Sequence, residues 1–477
     1  MKTESNADLQ GRDQKSGPQS RALPASAVWA FGFVALPLAT IGLPLTIYLA
    51  PFYAGEMGLS LAALGTAMLL ARVLDVVVDP FIGAASDRLR TRFGRRKPWL
   101  VAGALVVMLG MAMLFHPPQG VSLGYFLFWL AVMYAGFSLV QVPHRAWGAE
   151  MSPSYDERTH ISSVRQFFST GGLIVSTLVP AIVLGQAGAK SADVLSSLST
   201  MMLIVLPIAV ILNLPLTPDR SASRPTPPRV PIDWRANFRA VRRNGPLRCI
   251  LLVLFVGFSA ETFRQTLTVF FARDVIGVQN LGLVYVYYFI SAFIGVPAWR
   301  WVAKRTSKHH ALVCGMVIAI ATNLGLFFLG YGDTGLFTAM FIIKGFCFGA
   351  LDLLPAAMLA DVADVDTAIT RKYRAGLLFG MAGVVTNLGQ AVGQGVSLNA
   401  LGLIGYRAAG ETGESALFAL RVLYALIPSV ALGLALFIAL RYGLSAARHG
   451  RLRAALERRA ASAAAAVPVP VPVPPST

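Results

Sequence analysis

The chain is too apolar to be a soluble protein of its size. Of its 477 residues, 55% are hydrophobic and only 13% are charged, which leaves too little polar surface to cover a water-soluble globule and indicates an integral membrane protein. The formal net charge of +18 does not indicate nucleic-acid binding, because no polar domain carries a basic stripe interleaved with aromatic residues.

Twelve apolar segments follow a polar N-terminal tail over residues 1–25. Each is long enough to cross about 30 Å of hydrocarbon as a helix, and the first is longer than a signal-peptide core, so no cleaved signal is expected. Three cysteines at unrelated spacings indicate neither a disulfide framework nor a zinc site. The predicted spans are 26–52, 58–85, 98–117, 121–149, 160–187, 192–216, 247–273, 279–302, 310–331, 335–363, 374–404 and 415–441.

The basic residues lie at alternate ends of these spans. The opposite ends carry only Lys190, Arg273 and Arg407. The basic ends contain six Lys or Arg in residues 87–98, eight in 217–248, four in 300–308, three in 371–374 and six in 441–459. By the positive-inside rule, we expect both termini in the cytoplasm and a multi-pass protein of the cell (inner) membrane.

One long polar interruption, rich in Pro and Arg, divides the spans six and six. We expect a six-helix bundle over 26–216, a cytoplasmic linker over 217–246, a second six-helix bundle over 247–443 and a disordered cytoplasmic tail, rich in Pro and Val, over 444–477. Two such halves are typical of a carrier whose binding site lies at the membrane midplane between halves that rock against each other.

The second span contains two acids, Asp75 and Asp79, in the run LLARVLDVVVDPFIG. Residues four apart lie on one helix face, with Cβ atoms about 6 Å from each other. Two carboxylates this close cannot both ionise freely in a low dielectric without a cation between them, so they should titrate as a unit. The pair is therefore a candidate site for H⁺ or Na⁺, and no other metal site is expected. Alternatively, Arg72 neutralises the acids as a structural ion pair.

The polar segment GAASDRLRTRFGRRK (83–97) follows the second span. Its basic residues can pair with acids or with anionic lipid, and we expect the segment to form a conformational latch. A simple topology signal would explain the charges but not the glycines or Asp87. The predicted latch residues here are Gly83, Asp87, Arg88, Gly94, Arg95 and Arg96.

These motifs carry a resemblance to a known family. The pattern Gly83-x-x-x-Asp87-Arg88 before Gly94-Arg95-Arg96-Lys97 resembles the loop 2–3 signature of the major facilitator superfamily (MFS). With Asp75-x-x-x-Asp79-Pro80 ahead of it, the chain is similar to the glycoside-pentoside-hexuronide cation symporter (melibiose permease-like) family. Residues 142–167 and 358–393 resemble the span 4–5 and span 10–11 regions of that family. The resemblance implies an all-α membrane protein of twelve helices with the MFS fold, cation-site roles for Asp75 and Asp79, and a place for Asp361 and Asp364 in the latch.

The positions that match the family's sugar pocket have mostly changed. Of these, Gln141, Arg145, Arg165, Asp352 and Asn387, only Arg165 keeps a family pocket residue. Other charges lie in the middle of spans, where facing lipid is costly, and we expect them to line the central cavity or to pair with each other. A local ion pair is favoured for Glu261 and Arg264. The predicted substrate cavity thus comprises Gln141, Arg145, Arg165, Glu261, Arg264, Lys344, Asp352 and Asn387.

We therefore predict a secondary active transporter that carries a small polar solute, sugar-like or glycoside-like by resemblance, together with H⁺ or Na⁺ by alternating access. It is expected to be no enzyme, to lie in a lipid bilayer, to need no cofactor, to bind no nucleic acid and to work as a monomer. One alternative is a carrier of lysolipid or another zwitterionic or anionic amphiphile, whose headgroup would suit Arg145, Arg165 and Asp352. An alternative of another class is a non-transporting membrane sensor or a polytopic membrane enzyme.

Overall fold

A computed structural model describes residues 23–89, 91–152, 155–186, 188, 190–219, 241–242, 244–370, 374–408, 413–444, 448, 450, 451 and 458. Within this part of the chain, twelve helices are long and apolar enough to cross a membrane. They are α1 (Ala25–Ile47), α2 (Leu61–Arg88), α3 (Lys97–Phe115), α4 (Leu123–Gly148), α5 (Glu157–Val183), α6 (Ser191–Leu216), α7 (Gly245–Ile276), α8 (Leu281–Arg305), α9 (Lys308–Leu326), α10 (Thr334–Ala368), α11 (Gly376–Leu403) and α12 (Glu414–Leu440).

The twelve predicted spans are confirmed, with small shifts at their ends. The first was predicted to run to residue 52, and α1 ends at Ile47. The reason is a local irregularity of the helix at Tyr48, beyond which the chain continues as the short helix Leu49–Gly55. An apolar sequence continues through such an irregularity, so hydropathy alone does not mark it.

Helices are the form that these segments take because every backbone N–H and C=O in hydrocarbon must be bonded within the segment. At the start of α7 and α8, asparagine side chains accept the first free N–H groups. Asn244 Oδ1 accepts from the Leu247 amide at 3.0 Å, and Asn280 Oδ1 accepts from the Leu283 amide at 3.0 Å. Such caps satisfy donors that have no partner inside the helix.

Prolines interrupt the helices near the candidate ion site. Pro80 lies inside α2, one residue after Asp79, and Pro143 lies inside the neighbouring helix α4. A proline inside a helix removes one backbone hydrogen bond and kinks the helix. The acidic pair therefore lies next to an irregular part of α2.

The two halves pack through α2 against α11 and through α5 against α8. Thr66 Oγ1 donates to Asn399 Oδ1 at 3.2 Å across the first pair of helices, and Asn280 Nδ2 donates to the Ala181 carbonyl at 2.9 Å across the second. A Cβ atom on Gly282 would overlap the backbone nitrogen of Ala181, so α5 and α8 touch backbone to backbone there. These contacts lie at the start of α2 and α8 and at the end of α5 and α11, which is the end of the bundle opposite the basic loops.

The predicted tails and the predicted linker fall largely outside the described residues. The tails were predicted over 1–25 and 444–477, and the linker over 217–246. The boundaries of the two predicted bundles, 26–216 and 247–443, stay predictions for the same reason. The described start of the linker is bound to the first half, since Trp147 Nε1 donates to the Pro218 carbonyl at 3.3 Å.

Candidate ion and solute sites

Asp75 lies inside the first half and is held by two side chains. It is only 9% exposed. Ser138 Oγ of α4 donates to its Oδ1 at 2.6 Å, and Arg72 Nη1, one turn earlier on α2, donates to its Oδ2 at 3.4 Å. Asp79 differs, because its Oδ1 is buried and has no hydrogen-bond partner among the described residues. An unpartnered buried carboxylate oxygen is costly unless an ion or proton satisfies it.

Arg72 also connects the ion site to the other half of the protein. Its Nη2 donates to Gln390 Oε1 of α11 at 3.4 Å, and its guanidinium lies 5.0 Å from the ring centroid of Tyr134. Both hydrogen bonds of Arg72 are long, hence weak. The alternative predicted for Arg72 is thus present in part. It pairs with Asp75 but not, among the described contacts, with Asp79.

The second half contains a buried cluster of three charged residues. Arg264 Nη2 donates to Glu261 Oε1 at 2.6 Å, which confirms the local ion pair predicted for these two residues. Lys344 of α10 lies 3.2 Å from Glu261 Oε2 and donates to Asn323 Oδ1 of α9 at 2.5 Å. Arg264, Lys344 and Glu261 are 0%, 3% and 5% exposed. The structure thus pairs Lys344 with Glu261, whereas Asp352, two turns further along α10, is exposed.

Aromatic side chains enclose this cluster. Tyr288 of α8 donates through its hydroxyl to Glu261 Oε1 at 3.3 Å, and Arg264 Nη1 donates to the Tyr424 hydroxyl of α12 at 3.0 Å. The guanidinium of Arg264 lies 5.2 Å from the ring centroid of Phe341. Sequence reasoning did not identify Asn323, Tyr288 or Tyr424 as partners of this cluster. The only sequence signal for these residues was a polar side chain within an apolar helix.

A narrow cavity adjoins the charged cluster. Its volume is about 20 Å³, and Glu261 is the one charged residue among the described residues that line it. Its widest part accommodates a water molecule. The lining residues are Val253, Leu254, Gly257, Phe258, Glu261, Met316, Phe348, Leu351 and Pro355. From Glu261, the lining follows α7 and α10 toward their basic-loop ends.

The predicted solute residues of the first half lie on α4 and α5. Arg145 is exposed and donates through Nη2 to Gln141 Oε1, one turn earlier, at 2.9 Å. Arg165 is half-buried and lies close enough to Arg145 for the two positive charges to repel each other. In the second half, Asn387 is half-buried in α11. Their role in binding a solute stays a prediction.

The segment between α2 and α3 is held together by the buried side chain of Arg96. Arg96 donates through Nη1 to Ser86 Oγ and through Nη2 to Asp87 Oδ1 and to Glu150 Oε1, each at 2.6 Å. Burial disfavours the charge of this guanidinium, but the hydrogen bonds and charges of Glu150 and Asp87 outweigh burial and raise the pKa of Arg96 above its ordinary value. Arg95 also pairs with Glu150, at 2.6 Å.

Asp219, in the described start of the linker, also contacts this group. Asp219 Oδ2 accepts from the backbone amides of Arg95 at 2.8 Å and Arg96 at 2.9 Å. Gly94 has a φ of 105°, and a Cβ atom on it would overlap the Asp219 carboxylate. A side chain at position 94 is therefore excluded by both backbone conformation and space. Sequence reasoning did not identify Asp219, because 124 residues separate it from Arg95.

The remaining predicted latch residues do not join this cluster through the described contacts. Gly83 packs beside Val142, whose Cγ1 would lie 3.6 Å from an added Cβ, and Arg88 is exposed. In the second half, Asp361 pairs with Lys308 at 2.7 Å. Asp364 is half-buried on the same helix. The latch role of all these residues stays a prediction.

Twelve membrane-spanning helices in two halves, with a candidate ion site next to their interface, define a carrier protein with the MFS fold. A family model described as "MFS/sugar transport protein" matches residues 30–446. The chain belongs to this family, which confirms the family predicted from its motifs.

Individual relatives agree with this membership. The isoprimeverose transporter of Lactiplantibacillus pentosus is 26% identical over 407 residues, covering 83% of this chain and 84% of that protein. The inner membrane symporter YicJ of Escherichia coli (strain K12) is 23% identical over 412 residues, with 83% and 86% covered. The sodium-dependent lysophosphatidylcholine symporter 1-A of Danio rerio is 24% identical over 488 residues, with 89% and 87% covered.

Solved structures confirm the fold. The nucleoside transporter NupG superposes with a TM-score of 0.64 at 12% sequence identity, covering 88% of this chain and 100% of that one. A bacterial homologue of the human lysosomal transporter Spinster, in an inward-facing and unoccupied conformation, superposes with a TM-score of 0.60 at 13% identity, covering 88% and 98%.

Proposed function

We propose that the protein is a symporter that moves a small sugar-like or glycoside-like solute across the cell (inner) membrane together with H⁺ or Na⁺. The observation that carries the proposal is the carboxylate pair of α2, in which the buried Oδ1 of Asp79 has no hydrogen-bond partner among the described residues while Asp75 is held by Ser138 and Arg72. Relatives that are named as transporters and symporters support it. No cofactor is needed, and one chain supplies both halves of the central site, so a monomer suffices.

The coupling step is a neutralisation of charge. With Arg72, Asp75 and Asp79 ionised, the empty site carries one net negative charge. A proton or a hard cation such as Na⁺, which prefers oxygen ligands, removes that charge when it binds between the carboxylates. Because an unpaired charge in a closed, dry cavity is costly, the loaded site closes more readily than the empty one. This difference links the ion to the solute.

Arg72 couples the ion site to the contact between the two halves. Its weak bonds to Asp75 and Gln390 join the ion site to α11. A cation that binds at Asp75 competes with the guanidinium, and a displaced guanidinium no longer holds Gln390. Ion binding thereby loosens one contact between the halves.

The conformation described here corresponds to an inward-facing carrier, provided that the basic loops are cytoplasmic. Two hydrogen bonds between the halves, Thr66–Asn399 and Asn280–Ala181, lie at the opposite end. In this state the solute and the ion exchange with the cytosol. Gln141, Arg145, Arg165 and Asn387 supply hydrogen-bond donors and acceptors for solute hydroxyl groups.

A second candidate solute class is a lysolipid. The neighbouring cations of Arg145 and Arg165 suit a phosphate group, and one relative is named as a lysophosphatidylcholine symporter. The same experiment tests both classes.

Transport in proteoliposomes tests the proposal. The purified full-length protein is exposed to an inward gradient of H⁺ or of Na⁺, and uptake of radiolabelled pentosides, hexuronates and lysophosphatidylcholine is measured. We expect one cation gradient to drive accumulation of a pentoside or related glycoside. Accumulation of the lysolipid alone would favour the second class, and no gradient-driven uptake of any solute would contradict symport.

Asp79→Asn provides the variant for the same assay. It should lose gradient-driven accumulation while keeping exchange of the solute at equal concentrations, because the asparagine side chain stays neutral. Glu414→Gln, at an exposed acid at the start of α12, is the matched control and should accumulate solute normally. Undiminished accumulation by Asp79→Asn would reject the ion site.

A further inference from the structure

The buried cluster of the second half has more positive than negative charge. Glu261 is the carboxylate between Arg264 Nη2 at 2.6 Å and Lys344 Nζ at 3.2 Å. With all three groups ionised, the cluster carries a net charge of +1 at a place that is almost completely buried. An uncompensated charge inside a membrane protein is costly. One of the three groups must therefore change its charge readily.

Lys344 is the group that can do so. The guanidinium of Arg264 does not lose its proton in proteins. Glu261 accepts hydrogen bonds from Arg264, from Gln265 Nε2 at 3.3 Å and from Tyr288 at 3.3 Å, and these donors stabilise its ionised form. A lysine that releases its proton removes the excess charge and leaves a neutral ion pair of Glu261 and Arg264.

Both protonation states of Lys344 fit the observed contacts. Its neighbours on the other helices are acceptors, namely Glu261 Oε2 and Asn323 Oδ1. A neutral amine keeps two N–H groups, which is enough for these two acceptors. The cluster can thus hold the same geometry with and without the proton.

The other titratable groups around Lys344 do not compete for this role. They come from each helix that packs on the cluster and are Glu261 and Arg264 of α7, Tyr285 and Tyr288 of α8, Cys314 of α9, Cys347 of α10 and Tyr424 of α12. Tyrosine and cysteine are neutral in water at neutral pH. Lys344 remains the group that changes charge.

A small cavity lies beside the cluster. Glu261 lines it together with apolar residues of α7, α9 and α10, and the cavity has room for one water molecule. The carboxylate that contacts Lys344 is therefore also the group that meets this water. When Lys344 is deprotonated, an N–H bond of the ammonium breaks, its electron pair stays on nitrogen, and the proton passes by way of Glu261 to water, forming hydronium.

We propose that Lys344 is a proton-binding site of the second half, separate from the Asp75–Asp79 site, and that it exchanges its proton with water in the cavity beside Glu261. The second half then binds and releases a proton, whether H⁺ or Na⁺ binds in the first half. This inference goes beyond the proposed symport and does not require that the solute be known.

Nuclear magnetic resonance of the full-length protein in detergent micelles tests the site directly. The lysines are labelled with ¹³C at Cε, and the resonance of Lys344 is assigned by its loss in Lys344→Arg, or in Lys344→Gln if the arginine variant does not fold. We expect this resonance to move with pH between about 5 and 9, the range in which buried lysines change charge. The resonance of the exposed Lys190 is the internal control for a lysine in contact with solvent.

Two results would overturn the proposal. A Lys344 resonance that stays constant from pH 5 to 11 means a permanent charge state, and one that moves together with Lys190 means an ordinary lysine. Neither result depends on transport, so failure of the proton site is distinguishable from failure of symport.

A transport readout follows once a solute has been found. In the background of Asp79→Asn, which removes the ion site of the first half but keeps exchange, the rate of solute exchange at equal concentrations should depend on pH. It should keep that dependence when Lys190→Gln is added and lose it below pH 9 when Lys344→Gln is added. A merely structural lysine would lower the rate at every pH without changing the shape of the profile, and that outcome contradicts the proposal.

Discussion

Arg72 occupies part of the place that a coupling ion would take. It lies 3.4 Å from Asp75 Oδ2, whereas the neutral hydroxyl of Ser138 lies 2.6 Å from Oδ1. The ion pair is therefore the longer of the two contacts, and its geometry as a hydrogen bond is the poorer one. A guanidinium in this position competes with an entering cation without excluding it.

Removal of the guanidinium should tighten ion binding. In Arg72→Gln, the two carboxylates lose their only described cationic neighbour, so we expect the concentration of the driving cation at half-maximal uptake to fall about tenfold, equivalent to about 1.4 kcal/mol. Uptake is measured in proteoliposomes over a series of cation concentrations. Arg92→Gln, an exposed arginine of the loop between α2 and α3, is the control. An unchanged or higher half-maximal concentration in Arg72→Gln would show that Arg72 does not compete with the ion.

The buried cluster of the second half should be sensitive to loss of its carboxylate. Glu261→Gln leaves Arg264 and Lys344 without their counter-charge, and breaking a buried pair in this way costs about 3 to 5 kcal/mol. We expect a marked fall of the thermal unfolding temperature in detergent.

Two further variants test whether charge causes this loss of stability. The double variant Glu261→Gln/Lys344→Met, which has one positive charge fewer, should recover part of the loss, while Glu414→Gln at an exposed site should behave as the wild type. If the double variant is less stable than Glu261→Gln alone, packing rather than charge holds the cluster together.

Spacing along one helix made some of these residues predictable. Asp75 and Asp79 were identified because acids four apart in an apolar run share a face, and the pairing of Glu261 with Arg264 followed from their spacing of three. The contact of Lys344 with Glu261 joins different helices. Hydropathy does not tell which face of one helix meets which face of another, so this contact, like those of Ser138 and Gln390, required the structure.

At the scale of the elements, the close crossing of α5 and α8 decides how the halves meet. An added Cβ at Gly282 would overlap the backbone of Ala181. At Gly433 of α12, in contrast, an added Cβ would meet no described atom within 4 Å apart from the backbone of its own helix. The two helical glycines therefore differ in their tolerance for a side chain.

Gly282→Ala should hold the halves apart at this end. Closure can be followed by disulfide formation between Thr66→Cys and Asn399→Cys, whose parent side chains are 3.2 Å apart across the other pair of helices, in a protein whose native cysteines are replaced. We expect slower crosslinking in Gly282→Ala and an unchanged rate in Gly433→Ala. Equal rates in the two variants would mean that α5 and α8 accommodate the methyl group without moving.

The carboxylate of Asp219 should stabilise the loop before α3. Asp219→Ala removes the acceptor of two backbone amides, and the loss of such a cap costs about 1 to 2 kcal/mol. We expect a lower unfolding temperature and faster proteolytic cleavage in the linker. Asp219→Asn keeps an acceptor oxygen and should lose less. If alanine and asparagine have the same small effect, the described bonds do not hold the linker.

The helices themselves could be predicted almost completely from the sequence. Hydrocarbon forces every span to satisfy its own backbone, so apolarity and length are enough to locate a helix. The irregularity at Tyr48 could not be predicted, because it depends on local backbone conformation. The close contact of the Asp219 carboxylate with Gly94 could not be predicted either, because the two residues are far apart in the sequence.

At the scale of the whole molecule, the two halves are unequal in charge. The first half holds the site with Arg72, Asp75 and Asp79, and the second holds Glu261, Arg264 and Lys344. With every group ionised, these sites carry opposite net charges. The duplication of six helices was predictable from the sequence, but the assignment of one acidic and one basic site to the two halves was not, because it depends on which charges are buried together.

Under the proposed symport, the net negative charge of the empty Asp75–Asp79 site should make transport respond to voltage. An elementary charge that crosses a membrane potential of 100 mV changes its energy by about 2.3 kcal/mol. A cell interior that is electrically negative repels the unloaded site toward the outer surface, while the loaded site, being neutral, moves without electrical work. The potential therefore resets the empty carrier, and solute accumulation should weaken when a potassium ionophore collapses the voltage even if the chemical gradient of the driving cation is kept.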